Sequence, residues 1–581
     1  MPTFQTFEDR ITVSTNAASV SVMRDLSNFI PEIHEAQGTV RRLDPPFESV
    51  IVFSHRSRFN PRNFRLFKVF EDKLYIISPP DLPKAWQNRT NSDCIITSRV
   101  ITMSGLFRGC SNFDEDLSHF DTSNVRSMKS MFEGAYEFDQ EIRTFNTRNV
   151  RDMSRMFFDA SSFSRPFGGL FDTSSVLNMS EMFAGAQFFN EPLLVPSFDT
   201  RNVRNMCGMF EGALQFDQPL MGPSFDTVNV RNMSRMFSQT HSFDQPLLGP
   251  WFDTQNVTDM SGMFAGATSF NQPLLGLSFN TGRVRNMSRM FYSAISFNQP
   301  LLGPSFSTRR VTDMRGMFSY AIAFNQPLLG PSFSTRRVTD MSDMFSSATS
   351  FNQPLLGKSF NTRRVRDMCG MFSKATSFNQ PLLGKYFDTQ NVTNMSEMFS
   401  EAREFNQPLL GPSFNTHNVT DMTSMFSYAF SFNQPLLGPS FNTHKVTNMS
   451  WMFAGAYSFD QPLLGPSFNT HNVTSMSGMF KRALAFNQPL IGDSFSLENV
   501  VDITDMFFGA ESYSYPMRFL GRRLRHPGGD LVGPNMPHCL VRYGRRPPRF
   551  GADSDIHDVV QLGPTEGVNP VAYYEIRYVP R

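Results

Sequence analysis

Nine arginines recur at matching places in a tandem repeat, and their number and spacing suggest binding chemistry. If the repeats stack in register, these side chains share one strip of surface, where like charges repel unless an acidic group is near. The spacing therefore predicts a cationic interaction strip. The alternative is that Asp313, Asp340 and Asp367 neutralise it and that the arginines only keep a strand-rich face soluble. The strip consists of Arg283, Arg285, Arg309, Arg310, Arg336, Arg337, Arg363, Arg364 and Arg366.

Three histidines also recur at one position of successive repeats: His417, His444 and His471. A ladder of imidazoles is able to bind a metal or to sense pH. No cysteine and no paired acid accompanies them, so the spacing favours a structural origin, and we expect no metal site.

The five cysteines are scattered and show no zinc-finger spacing. Cys207 and Cys369 stand where most repeats have Ser, and Cys110 stands where most have Ala, which indicates small packing residues. No nucleophile elbow, zinc-protease motif, P-loop or dinucleotide fingerprint is present. We therefore expect a protein that is not an enzyme, with no catalytic residue, no cofactor and no small-molecule substrate.

The composition does not point to a charged partner for the whole chain, because 53 Lys and Arg balance 52 Asp and Glu among 581 residues. The bias lies in 62 Phe and 35 Met, as expected when one short apolar pattern is copied many times. The sequence shows no signal peptide and no apolar run of about 20 residues. These features favour a reducing intracellular compartment, with a virion as the other setting.

The copies are marked by a valine that returns every 25 to 27 residues, and from Val176 onward every step is 27. We number positions in a copy from this valine. A period of this length is typical of a solenoid, whose coils complete one another's core. The sixteen valines are Val100, Val125, Val150, Val176, Val203, Val230, Val257, Val284, Val311, Val338, Val365, Val392, Val419, Val446, Val473 and Val500.

Each copy has two halves. Met at +3 and +6, Phe at +7 and Ala at +10 share the spacing of one helix face, so the first half predicts a helix of about two turns, N-capped by Asp, Asn or Ser at +2 or by Ser at +4. Pro at +16 and Gly at +19 predict bends in the second half. Short parallel strands are expected around the valine and at the "SFNT" segments, with the valine inward and −1 and +1 outward. Stacked Asn or Asp at +14 are expected to satisfy backbone groups at a bend.

These residues resemble a known family. Phe270, Asn271, Gln272, Leu274, Phe279, Thr281, Val284, Asn286, Met287, Met290 and Phe291 match, in order, the repeat of BspA-like leucine-rich-repeat surface proteins. Phe mostly replaces the usual Trp, and most copies carry two extra residues. The resemblance covers about residues 100–516. It implies an α/β, leucine-rich-repeat-like solenoid of about 16 short coils with a binding or adhesion role, and it carries over no catalytic residue.

The flanks lack the period, so we expect three parts: a small α+β domain or cap (1–98), the repeat solenoid (99–516) and an Arg/Pro/Gly-rich cap or tail (517–581). "ESVIVFSHRS", "FRLFKVFEDKLYIISPP" and "AYYEIRYVPR" read as strands, with a hairpin at Glu71-Asp72-Lys73, and "SVMRDLSNFIPEIHEA" reads as a helix. The tail either covers the last coil or forms a basic arm for an acidic protein, nucleic acid or membrane.

The sequence as a whole predicts a non-enzymatic repeat scaffold that binds a protein or mediates adhesion through its solenoid surface. The alternative is a structural component of a particle or surface layer, for example of a large DNA virus. The partner's identity does not follow from the residues.

Overall fold

A computed structural model of the protein describes residues 101–118, 120–490 and 492–515 with their side chains, together with the backbone of nine strands in the flanks. The chain divides into two compact units, residues 1–283 and 284–581. The predicted three-part organisation stays a prediction. The predicted helix at "SVMRDLSNFIPEIHEA" lies outside the described residues.

The first unit contains a five-stranded sheet near its start. Its strands are β1 (Gln5–Thr6), β2 (Val50–Phe53), β3 (Leu66–Phe70), β4 (Lys73–Ile77) and β5 (Cys94–Ile96), in the order β1-β4-β3-β2-β5. β3 and β4 pair antiparallel, with Phe70 opposite Lys73, so the hairpin is confirmed. β2 pairs antiparallel with β3 and parallel with β5.

The second unit ends in a four-stranded sheet. Its strands are β6 (Met517–Leu520), β7 (Cys539–Arg542), β8 (Ile556–Pro564) and β9 (Ala572–Tyr578), in the order β6-β7-β9-β8. β9 confirms the strand predicted at "AYYEIRYVPR". The rest of the Arg-rich segment lies outside the described residues.

Between the two sheets, each unit contains a stack of coils, one per copy of the repeat. Successive coils are joined by one parallel bridge at +2, as between Asp313 and Asp340 and between Asp340 and Asp367. The N–H of +1 donates to the +1 carbonyl of the preceding coil, for example Thr339 to Thr312 at 2.9 Å. The predicted parallel strand at the valine is thus present as a single bridge per coil. The "SFNT" strand is wrong: the described bridges of that segment join Gly to Phe within one coil, as in Gly411 to Phe414.

The predicted short helix is also wrong, and no helix occurs among the described residues. Positions +5 and +9 have positive φ in every coil, as at Asp343 (56°) and Ser347 (58°), and a right-handed helix does not accommodate that backbone. The segment instead forms successive i→i+3 turns such as Met344 N–H to Met341 C=O at 3.2 Å. Its +3, +5, +7 and +9 N–H groups donate to the next coil; Phe345 N–H, for example, donates to Met371 C=O at 2.9 Å. These inter-coil bonds replace the bonds of the expected helix.

The predicted inward face is confirmed. In the Val338 coil, Val338, Met341 and Phe345 are fully buried, and the same holds for the second Met, the Ala and the other two Phe positions. Phe345 stacks on Phe351 of its own coil with ring centroids 4.1 Å apart, and on Phe372 of the next coil at 5.7 Å. The Phe rings therefore form two continuous columns, and such ring pairs add about 0.5–1.5 kcal/mol each beyond their buried area.

Only one of the two leucines of each coil belongs to this core. Leu355 at +17 is fully buried, whereas Leu356 at +18 is half-buried and lies against Gly384 of the next coil. A Cβ on Gly384 would lie 3.0 Å from the Cδ2 of Leu356. The glycine at +19 is thus needed for close approach between coils.

Two ladders of polar side chains satisfy the backbone at the bends. Asn325 Oδ1 accepts hydrogen bonds from Asn352 N–H at 3.0 Å and from Gln353 Nε2 at 3.1 Å, which confirms the expected role of +14. The fully buried Thr335, at −3, donates from Oγ1 to the carbonyl of Asn361 at 2.9 Å and accepts from its N–H at 2.7 Å. The Asn and Thr side chains of these two ladders are therefore paired coil to coil.

Candidate interaction surface

The outward positions −2, −1 and +1 form three columns, where a column means the residues at one offset in successive coils. The +1 column of the second unit begins Arg285, Thr312, Thr339, Arg366, and each N–H donates to the carbonyl before it at 2.9 Å. The side chains of the three columns therefore project from a backbone whose register is fixed.

The second unit holds eight of the nine predicted strip residues, and all eight are exposed. Among the described residues, none of them lies within 4.0 Å of a carboxylate oxygen. Arg309 Nη2 donates to the Pro331 carbonyl at 3.4 Å. The structure thus places unpaired guanidinium groups at −2, −1 and +1 of adjacent coils, as the spacing predicts. We call these eight residues the arginine strip: Arg285, Arg309, Arg310, Arg336, Arg337, Arg363, Arg364 and Arg366.

The ninth residue, Arg283, is the last residue of the first unit. It is exposed, and its Nη1 donates to Asn256 Oδ1 of the preceding coil at 2.8 Å. Arg283 therefore occupies the −1 column of its own unit and is not counted in the arginine strip.

The three aspartates expected to neutralise the strip form no ion pair with it. Asp313 Oδ1 accepts the N–H of Arg315 at 2.9 Å, and the same bond joins Asp340 to Ser342. Asp367 repeats it with Cys369 at 2.9 Å. Side-chain acceptance from the N–H two residues on is an Asx-turn. Because one oxygen of each carboxylate is used in a turn, the arginines keep their donors for solvent or a partner.

Four further arginines occupy the same +1 register in the first unit, and the sequence analysis missed them. Arg126, Arg151, Arg204 and Arg231 are exposed, and Arg151 N–H donates to Arg126 C=O at 2.9 Å. The signal that finds them is the offset from the valine, which is +1 in all four copies. In two of these coils the −2 position is also arginine, Arg148 and Arg201, but the −1 positions are Asn149 and Asn202.

The turns at +5 to +9 differ from the arginine strip because several of their arginines form ion pairs. In the first unit, Arg155 pairs with Glu133 at 3.0 Å and with Glu181 at 3.2 Å. Arg235 pairs with Glu211 at 3.2 Å and with Glu181 at 3.6 Å. Burial raises the pKa of Glu211, and the nearby Arg235 opposes that rise. Cations on this face are therefore largely matched by acids, unlike those of the arginine strip.

In the second unit, the turns and the residues just after them, at +5 to +11, carry aromatic side chains that the sequence pattern did not predict. Phe430 and Tyr457, both at +11, stack with centroids 4.6 Å apart and planes 3° from parallel. Arg403, at +11 of the coil before, lies 5.3 Å from the Phe430 ring. Trp451 lies over Gly478, with Lys481 Nζ 4.9 Å from its ring. These cations pack on rings, as cation–π contacts, and are less available than those of the strip.

Three cysteines lie among the fully described residues, and all three are free and half-buried. Burial raises the pKa of the Cys110 thiol to about 11. Ser396 Oγ donates to Cys369 Sγ at 3.2 Å, and Ser234 makes the same contact with Cys207 at 3.1 Å. Cys207 and Cys369 therefore each have a hydroxyl neighbour in the next coil.

Within the described ranges, no group of three or more His, Cys, Asp and Glu side chains is arranged to hold a metal ion. Also within those ranges, no helix has the length and apolarity needed to cross a bilayer.

The repeat matches a known family model six times. The model, described as "Mycoplasma protein of unknown function, DUF285", matches residues 83–191, 168–251, 225–330, 248–355, 330–437 and 411–518, which together cover well over half of the chain. The chain belongs to the DUF285 family. The last three DUF285 matches each span four 27-residue periods. One match to the family model therefore corresponds to four consecutive coils of the structure. No curated protein and no solved structure gives a significant match.

Proposed function

We propose that this DUF285 chain is a non-enzymatic repeat scaffold that binds a protein partner through its exposed columns. The observation that carries the proposal is the arginine strip, in which eight exposed guanidinium groups of four adjacent coils form no ion pair with any described residue. Holding like charges together is unfavourable, and an acidic partner relieves the repulsion. A fixed register also presents the same group to the partner at each coil, which favours multivalent contact.

The recurring polar side chains support a role without catalysis. Asn325 and Thr335, which represent the two polar ladders, use their side-chain atoms to satisfy neighbouring coils. The residues free to contact a partner are those that differ from coil to coil. This division between a constant interior and a variable surface is what a binding scaffold requires. The finer assignment, a BspA-like protein of leucine-rich-repeat type with an adhesion role, rests on the Phe-Asn-Gln and Val-x-x-Met patterns.

The test is affinity capture by the full-length chain from a lysate of its source organism at moderate salt, with bound proteins identified by mass spectrometry. One variant changes Arg309, Arg310, Arg336 and Arg337 to Glu. The matched control changes four exposed arginines of the turns in the same unit to Glu: Arg289, Arg315, Arg403 and Arg482. Both variants carry the same charge change.

We expect the strip variant to lose its partner and the control to retain it. If both variants capture the same proteins as the wild type, the strip is not the interaction surface and the proposal fails. Equal loss in both variants would assign the effect to net charge rather than to the strip. Size-exclusion chromatography with light scattering distinguishes the proposed function from the alternative. A structural component of a particle or layer should form an assembly of fixed stoichiometry, whereas a free scaffold should elute as a monomer.

A further inference from the structure

The −2 column of the second unit changes its chemistry along its length. Gln390 is half-buried, and the other six residues are exposed. Three guanidinium groups are thus followed, after one neutral coil, by three imidazoles in the same column. The column runs Arg309, Arg336, Arg363, Gln390, His417, His444 and His471.

Hydrogen bonds from the −1 column fix this register across the change. Asn391 Nδ2 donates to the carbonyl of Arg363 at 2.7 Å, and Asn418 Nδ2 donates to that of Gln390 at 2.7 Å. Asn472 Nδ2 makes the same bond to His444 at 2.6 Å. The histidines therefore continue the arginine column rather than lying beside it.

Two of the three imidazoles make a hydrogen bond through their Nδ1 atom. Asn442 Oδ1 accepts the backbone N–H of His444 at 3.0 Å, so this atom is an oxygen, and it also lies 3.0 Å from the ring Nδ1. Only a protonated Nδ1 is able to donate to it, which leaves Nε2 to take up the second proton. Asn469 and His471 repeat this arrangement at 3.0 and 2.9 Å. In these two rings, Nε2 is thus the nitrogen that the asparagine does not use.

Permanent charges near the histidines are few and of both signs. Lys445 follows His444 in the chain and donates from Nζ to Asn418 Oδ1 at 2.8 Å, which adds one cation to the −1 column. Asp388 accepts the N–H of Gln390 at 3.0 Å. On the segments that flank the column in these coils, from +20 through +2, the charged residues are Lys385, Asp388, Asp421, Lys445, Asp493, Glu498 and Asp502.

We propose that the −2 and −1 columns from Arg309 to His471 form one surface for an extended, carboxylate-rich segment of a protein partner, and that protonation of the histidines completes it. This inference rests on the proposed function. Guanidinium groups bind carboxylates in bidentate fashion. No Phe, Tyr or Trp occupies −2, −1 or +1 in these coils, so a stacking platform for nucleotide bases is missing.

The dimensions fit a short peptide. At about 4.8 Å per coil, the six steps from Arg309 to His471 span roughly 29 Å. An extended chain of about nine residues covers that distance at about 3.3 Å per residue. Imidazole side chains in general gain a proton as the pH falls from about 8 to about 5, whereas aspartate side chains in general stay ionised, so acidification makes such a column more complementary to an acidic peptide.

The experiment measures the binding of the full chain to a rhodamine-labelled 20-residue oligo-aspartate by fluorescence anisotropy, at pH 5.5 and pH 7.5 and constant ionic strength. We expect binding on the order of tenfold tighter at pH 5.5, since three exposed ion pairs each contribute about a factor of two to three. The triple variant His417→Gln, His444→Gln, His471→Gln should bind as the wild type does at pH 7.5 and lose the gain at pH 5.5. Glutamine is the matched replacement because Gln390 already occupies this column. Its backbone N–H donates to a side-chain oxygen two residues earlier, as the backbone N–H of each histidine does.

Three outcomes would overturn the inference. The histidines are not part of the surface if the triple variant keeps the full pH ratio. The partner is not an acidic peptide if a 20-nucleotide oligo-dT binds more tightly than oligo-aspartate at both pH values. The variant Arg309→Gln, Arg336→Gln, Arg363→Gln must weaken oligo-aspartate binding at both pH values, and if it does not, the two columns do not act together. Absence of oligo-aspartate binding, while charge reversal still abolishes protein capture, would reject this inference and leave the proposed function standing.

Discussion

The asparagine ladder at +14 gives the sharpest test of how the coils hold together. In Asn325→Ala, the N–H of Asn352 loses its acceptor in a partly buried bend, and Gln353 loses one of its bonds. An orphaned buried donor costs about 1–3 kcal/mol, and a lost neutral hydrogen bond costs about 0.5–1.5 kcal/mol. We therefore expect a loss of about 2–4 kcal/mol, confined to the coils that share this bend.

The assay is amide hydrogen exchange, because it reads one coil at a time. A loss of 2 kcal/mol at Asn352 corresponds to roughly 30-fold faster exchange of its amide if that amide opens by a local fluctuation. The control is Asn325→Asp, since Asp244 fills the same position and accepts the N–H of Asn271 at 2.9 Å. If alanine and aspartate at 325 give equal exchange at Asn352, the side-chain oxygen does not support the bend and the ladder interpretation is wrong.

Four other perturbations test the core, the turns and the titrating groups. Phe345→Ala should cost about 3–5 kcal/mol in chemical denaturation, with Phe345→Leu costing far less, and a silent alanine would contradict the stacked columns. Gly370→Ala should destabilise the chain because its φ is +59° and the new Cβ would clash with Asp343 Oδ1, and Asp343→Gly should recover part of the loss. Burial, followed by the nearby Glu397, raises the pKa of Asp343. A raised carboxyl pKa means that the folded state binds the proton more tightly, so Asp343→Asn should stabilise the protein at pH 7 and reduce the gain seen as pH falls toward 4. Cys110 should react with iodoacetamide at pH 8 about 100-fold more slowly than a thiol of pKa 9, and a rate equal to that of a model thiol would mean that it is not buried.

The period and the inward face follow from the sequence because both depend on identical buried residues. The valine spacing gives the coil length, and the Met, Phe and Ala offsets give the side chains that are fully buried in the Val338 coil and its neighbours. A buried position tolerates few residue types, so repetition makes it visible. The polar bend at Asn325 is visible for the same reason.

The helix was mispredicted because offsets of 3, 4 and 7 also arise from successive turns. The missing signal is glycine at +5 and +9, present in some coils as Gly262 and Gly266, where φ is +59° and +71°. In other coils these positions hold residues such as Asp343, for which a left-handed backbone costs about 1–2 kcal/mol. Inter-coil hydrogen bonds offset that cost. The residue preferences of a single segment do not reveal such bonds, because the partner lies in the next coil.

The predicted neutralisation of the strip shows the same limit. The sequence places Asp313 beside the arginines and predicts it as an N-cap, but no helix forms there, and its oxygen accepts the N–H of Arg315 in an Asx-turn rather than pairing with a guanidinium. One acceptor has two possible partners at short range, and sequence spacing alone does not rank them. The four +1 arginines of the first unit were missed for a simpler reason, because none of them has an arginine beside it at −1.

The direct bond between each −1 asparagine and the carbonyl of the preceding coil has an evolutionary consequence. The hydrogen bond from Asn391 to Arg363 and the bond from Asn418 to Gln390 both join a side-chain Nδ2 to a backbone carbonyl. A coil of this kind therefore makes the same contact with the coil before it and with the coil after it. Recombination between such similar segments would add or remove a whole 27-residue period, and the remaining coils would keep their hydrogen bonds to one another. The distance between the guanidinium and imidazole halves of the surface would then change in single steps of about 4.8 Å. Lineages of this protein would tune the reach of their binding face by counting periods, without redesigning any contact.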